Sequence, residues 1–186
     1  MIIKHSHYQN RGLDYCVRSA TEDDAKALSH VRLQIDGETE YLDREKGEAH
    51  IDERGFKEII KEDAESANRL FLVAEINGGI AGFSRCEGNG LKRTSHHVEF
   101  GVGVLKEFWG YGIGKALLNK FIKWADSNEI RKVTLKVIET NEKAINLYKN
   151  YGFEVEGILK EDKRLSDGYY YHTVLMARFK HRVSSL

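Results

Sequence analysis

From residue 98 to residue 124 the chain passes from an alternating apolar strand, through three glycines in five positions, into an amphipathic helix. Val98, Phe100, Val102 and Val104 share one face of the strand, because side chains alternate along an extended chain. Gly110, Gly112 and Gly114 make the turn. Ile113, Leu117, Phe121 and Trp124 then recur at the three- and four-residue spacing of one helix face. A further strand, Lys132 to Ile138, alternates with Val133, Leu135 and Val137 apolar. A strand–helix–strand run of this kind confines the fold to mixed α/β. If its strands are parallel, the crossover is right-handed.

The flanking segments fit that class. Tyr15 to Arg18 reads as a first short strand, and Thr21 followed by Asp24 marks a helix start that runs to about Ile35. A second helix is expected from about Ile51 to Glu65. Leu70 to Ile76, Asn77-Gly78-Gly79 and Ile80 to Phe83 form a hairpin. Asn141 to Tyr151 is a helix stopped by Gly152. Strands follow at Phe153 to Leu159 and Tyr169 to Phe179, joined through Ser166-Asp167-Gly168. Residues 1–14 are expected to be an N-terminal extension, 15–180 a single domain and 181–186 a C-terminal tail. The 36–66 stretch is the least regular, and suits a lid.

Composition excludes several classes. Lys plus Arg and Asp plus Glu both number 29, so bulk charge offers no attraction to nucleic acid or anionic lipid. No apolar run is long enough for a membrane helix, and the first residues lack the apolar core of a signal peptide. Two cysteines, Cys16 and Cys86, make neither a disulfide framework nor a CxxC site, which points to a reducing, cytoplasmic setting. His5, His7, His96 and His97 have no carboxylate or thiol partners at metal-binding spacing, so no metal is expected.

The glycine turn carries the chemistry. A helix N-terminus offers unpaired amides and partial positive charge, and glycines let a ligand approach the backbone. Together these make an anion site, most naturally for phosphate. Gly114-Lys115-Ala116 is not a P-loop, and Lys115 stands where a dinucleotide fingerprint needs glycine.

Val104 to Gly114 resembles the acetyl-CoA motif of the GCN5-related N-acetyltransferases, Arg/Gln-x-x-Gly-x-Gly/Ala, matched at Gly112 and Gly114. Trp109 stands where Arg or Gln is usual, and either covers part of the cofactor or packs. Asn141, Ala144, Ile145, Leu147, Tyr148, Gly152 and Phe153 are similar to the family's next helix and strand. The hairpin at 73–82 is also similar. The resemblance spans about residues 15 to 179, and a weaker likeness to the amino-acid and ribosomal-protein branches lies in 156–178. It implies a mostly antiparallel sheet of six to seven strands, splayed at its centre, with about four helices on both faces. It also implies acetyl-CoA as co-substrate, bound by Val102, Val104, Trp109, Gly110, Tyr111, Gly112, Ile113, Gly114, Lys115, Asn141 and Tyr148.

Acetyl transfer to an amine needs a neutral nucleophile, a stabilised oxyanion and a protonated leaving thiolate. The resemblance makes Tyr148 the acid, and a phenol of pKa ~10 is protonated at neutral pH. The oxyanion donor is a backbone amide of the 98–104 strand. Glu99, beside Gly101 and Gly103 on the other strand face, is the candidate base or amine orienter, acting through water. His96 and His97 are alternatives. The family uses no covalent route, so Cys86 is not expected to serve as a nucleophile.

The acceptor is a small amine (an amino acid, polyamine or aminoglycoside) or a protein N-terminus. Asp36, Glu38, Glu40, Asp43, Glu45 and Glu48 attract a cationic acceptor if they face the pocket, and otherwise form a solvated acidic loop. Tyr169, Tyr170 and Tyr171 line the acceptor pocket or a homodimer contact. The competing reading is a non-catalytic acyl-CoA sensor or scaffold, against which Tyr148 argues.

Overall fold

The strands and helices fall close to where the periodicity puts them, with one addition at the N-terminus. The structure is a computed structural model that describes residues 2–180, so the expected 181–186 tail lies outside the described residues. In chain order the elements are β1 Ser6–Asn10, β2 Leu13–Ser19, α1 Ala25–Glu38, α2 Glu53–Glu65, β3 Leu70–Ile76 and β4 Gly79–Gly88. There follow β5 His97–Val104, α3 Ile113–Ser127, β6 Lys132–Ile138, α4 Glu142–Asn150, β7 Glu154–Arg164 and β8 Tyr170–Phe179. They build one eight-stranded sheet in the order β1-β2-β3-β4-β5-β6-β8-β7.

Local chemistry explains the boundaries. Thr21 and Asp24 form a capping box ahead of α1, and Asp52 caps α2 by accepting from the Gly55 amide at 2.8 Å. Gly152, at φ +82°, ends α4. The unforeseen strand is β1. Within the expected 1–14 extension, Ser6–Asn10 pairs in register with β2 and stacks Tyr8 on Tyr15 at 5.3 Å. Arg11 and Gly12, both at positive φ, turn that hairpin.

The sheet has a core on each face. Leu70, Leu72 and Ala74 of β3 pack with Val98, Phe100, Ile113, Leu117 and Phe121 on the side covered by α3 and α4. Phe71 and Val73, one residue out of phase, pack with Leu28, Ile35, Phe56 and Ile60 on the side covered by α1 and α2. Asp63 of α2, 1% exposed, ties that helix to β4 by accepting from Arg85 at 2.6 and 3.0 Å.

Every neighbouring pair is antiparallel except β5 and β6. These run parallel and pair only at His97↔Lys132, Val98↔Val133 and Glu99↔Thr134. Beyond Glu99 they part, while β5 stays paired to β4 as far as Val104. This is the expected splay, in a sheet of eight strands rather than six or seven.

Candidate active site

The parting leaves one edge of β5 open from Phe100 to Val104. The Leu105 amide donates towards β4, to the Ala81 carbonyl at 2.9 Å. Backbone groups alternate in direction along a strand, so Val104 and Val102 turn theirs towards the open edge. The Val104 carbonyl accepts there from the Trp109 indole at 2.8 Å. Trp109 also stacks on Tyr41, with ring centres 6.3 Å apart, and so closes the end of the open edge.

The glycine turn follows. Gly110 and Gly112 both have positive φ, and Gly112 is the N-cap of α3 with no side chain capping it. The first helical bond runs from the Ala116 amide to the Gly112 carbonyl at 2.9 Å. The amides of Ile113, Gly114 and Lys115 precede it and have no acceptor within the helix. Tyr111 is half-buried before them, and its carbonyl accepts from Asn10 Nδ2 at 2.9 Å. The β1–β2 hairpin thus buttresses the turn. A Cβ on Gly110 would lie 3.6 Å from Arg11 Nη1, so a guanidinium stands beside the turn. Sequence reading missed both residues because it saw no strand before Tyr15.

Gly112 is doubly constrained. A Cβ there would meet Asn10 Nδ2 at 2.8 Å, and φ is +78°. Gly112→Ala should therefore lose about 1–2 kcal/mol of stability, read by urea unfolding, and should weaken binding of acyl-CoA. An unchanged midpoint and affinity would mean that the turn tolerates a side chain.

Asn141 caps α4, with its Oδ1 accepting from the Ala144 amide at 3.2 Å. Two turns on, Tyr148 is 9% exposed and packs on Phe153 at 5.7 Å between centres. Its hydroxyl bonds to none of the described residues. Burial alone pushes its pKa up to about 12, so it stays protonated throughout the neutral range.

Glu99 points the other way, with His97, Gly101 and Gly103, into a cavity of about 640 Å³ on the α1 and α2 side. A Cβ on Gly101 would meet nothing within 4 Å, which is the open space that the alternation implies. Glu99 is exposed and pairs with Lys136 at 3.3 Å. His97 Nε2 lies 2.8 Å from Thr134 Oγ1, and burial, with the charges of Lys132 and His96, lowers its pKa, so its ring is neutral at pH 7. His96 is exposed beside it. Cys86 is buried and its thiol is pushed up to about 12 by burial, which removes it as a nucleophile.

The acidic loop does not face this cavity as a group. Only Asp43 of the six carboxylates lines it, and Lys163 pairs with Asp43 at 2.5 Å. Asp36 is buried against Arg32, while Glu38 and Glu40 accept from the amides of Lys106 at 2.7 Å and Ser166 at 2.8 Å. Those three line a separate, shallower pocket beside Trp109. Glu45 and Glu48 are solvent-exposed.

Residues 35–153 match the model of the acetyltransferase (GNAT) family. The chain belongs to the acetyltransferase (GNAT) family. It is an acetyltransferase with acetyl-CoA as co-substrate, and the open β5 edge and the glycine turn suit that group. It is 34% identical over 110 residues to the L-amino acid N-acetyltransferase AaaT of Escherichia coli, covering 59% of this chain and 67% of the relative. It is 32% identical over 151 residues to an N-acetyltransferase of Methanocaldococcus jannaschii, covering 78% of this chain and 63% of the relative. Among solved structures, a GNAT-family acetyltransferase of Streptococcus pneumoniae superposes with a TM-score of 0.86 at 26% identity, over 89% of this chain and 99% of that one. Among the described residues no cluster of metal-ligating side chains occurs, and no helix is long and apolar enough to cross a membrane.

Proposed function

We propose that this chain moves the acetyl group of acetyl-CoA to a primary amine by direct attack in a ternary complex. One observation carries the reading. The sheet parts just past Glu99, so a cavity on the α1 and α2 face meets an open strand edge that leads to the glycine turn. The amides of Ile113, Gly114 and Lys115 hold the pyrophosphate, with Gly110, Gly112 and Tyr111 shaping the turn and Arg11 adding charge beside it. Val102 and Val104 hold the pantetheine, next to the amide of Asn141, while Trp109 closes the end of the edge.

Glu99 takes a proton from the acceptor ammonium through water. The freed lone pair forms the C–N bond, and an amide of the β5 edge stabilises the oxyanion. As the C–S bond breaks, the nitrogen gives its second proton to solvent, and the sulfur leaves with its electron pair and takes the proton of Tyr148, which is restored from solvent. No covalent enzyme intermediate is needed.

The test is release of coenzyme A thiol across a panel of amines, with Glu99→Gln beside the wild type. Thiol release from at least one amine is expected. Glu99→Gln should lower kcat/KM about 10- to 100-fold, with the loss greatest where the acceptor is mostly ammonium. Full activity at every pH would remove Glu99 from the mechanism and leave His97 as base.

A further inference from the structure

The acceptor cavity is densely charged. Six of its lining side chains are cationic, Arg32, Arg44, Arg69, Arg85, Lys136 and Lys163, against the three carboxylates Asp43, Glu87 and Glu99. Most of that positive charge is already paired. Arg85 is held by Asp63 and by Glu87 at 2.9 Å. Arg69 lies 3.2 Å from Glu62, 3.6 Å from Glu87 and 3.8 Å from Asp63. Lys163 has Asp43 and Lys136 has Glu99.

Two arginines keep unused donors. Arg32 gives only its Nε to Asp36, at 2.8 Å, and its two terminal nitrogens bond to none of the described residues. Arg44 gives Nη1 to the neutral carbonyl of Ala49 at 3.0 Å and has no carboxylate within ion-pair distance among the described residues. Both are half-buried at the wall of one cavity. A planar guanidinium with free terminal nitrogens matches a carboxylate in geometry as well as charge.

We propose that the acetyl acceptor is an amine that also carries a carboxylate, a free amino acid being the simplest case. Arg32 and Arg44 hold the carboxylate while the amine meets Glu99. This rests on the acetyl-transfer reading above. A polyamine or an aminoglycoside has no carboxylate for these donors, and a protein N-terminus has none beside its amine to use the site.

The experiment compares matched acceptors in the thiol-release assay, with kcat/KM referred to the neutral amine. The probes are L-leucine, L-leucinamide and isoamylamine, the same three forms of phenylalanine, and spermidine. The amino acids should exceed their amides and decarboxylated amines by about 10- to 100-fold. Arg32→Gln should shrink that ratio mainly through KM for the acid, with Arg32→Lys restoring part of it and Arg44→Gln acting in the same direction. Amides, decarboxylated amines or spermidine turned over as well as the amino acids by the wild type would overturn the proposal. So would an undiminished ratio in both glutamine variants. Release with none of the probes, although acetyl-CoA binds, would overturn acetyl transfer to small amines and this inference with it.

Discussion

Replacing Tyr148 by phenylalanine lowers kcat roughly 100- to 1000-fold and leaves acetyl-CoA affinity essentially unchanged. The substitution removes one oxygen from a ring that keeps its packing on Phe153. No hydrogen bond to a described residue is lost, so the fold has no reason to shift. What goes is the proposed proton donor for the departing sulfur. The pH dependence carries the sign. Burial raises the phenol to about 12 and its working form is the protonated one. Wild-type kcat should therefore show no alkaline loss from this group until pH approaches that value. Thiol release and calorimetric binding measured side by side decide the matter. Undiminished turnover in the variant would put the acid elsewhere. Tight binding without turnover in the wild type would favour a sensor.

The second large effect is on stability. Phe121→Ala should cost about 3–5 kcal/mol, against a total of roughly 5–15 kcal/mol for a domain. Phe121 is 1% exposed and stacks on Phe100 at 4.5 Å, with Trp124 at 5.9 Å. Phe100 neighbours Glu99 on β5, so the void opens directly beneath the strand that carries the open edge. A melting temperature lower by roughly 6–20 °C is expected by calorimetry. A fall of only a degree or two would mean that α3 collapses into the gap.

Much of this was legible in the chain because it rests on local chemistry. The apolar period located α3, the alternation assigned Glu99 to the face of Gly101 and Gly103, and the spaced glycines marked the start of α3. What escaped is decided by partners far away in sequence. Ser-His-Tyr-Gln-Asn has no strand pattern, and β1 exists through its pairing with β2. Its tip meets the glycine turn about a hundred residues on, through Asn10 and Tyr111. β7 runs to Arg164 across two register shifts, although its residues are largely polar and exposed. The sequence leaves the role of the acidic loop open for the same reason, since Lys106, Ser166 and Lys163, which draw its carboxylates away, belong to other elements.

In the proposed complex the parted strands also tie the lifetime of the protein to its chemistry. Without a ligand, the amides of Val102 and Val104 exchange with solvent as those of an edge strand do. In the proposed complex the pantetheine takes the position of a missing strand and slows that exchange. A donor at a hundred times its dissociation constant adds about 2.7 kcal/mol to folding. Proteolysis through transient opening falls in proportion. The abundance of this acetyltransferase would then rise and fall with the supply of the acyl donor itself, with no separate regulator required.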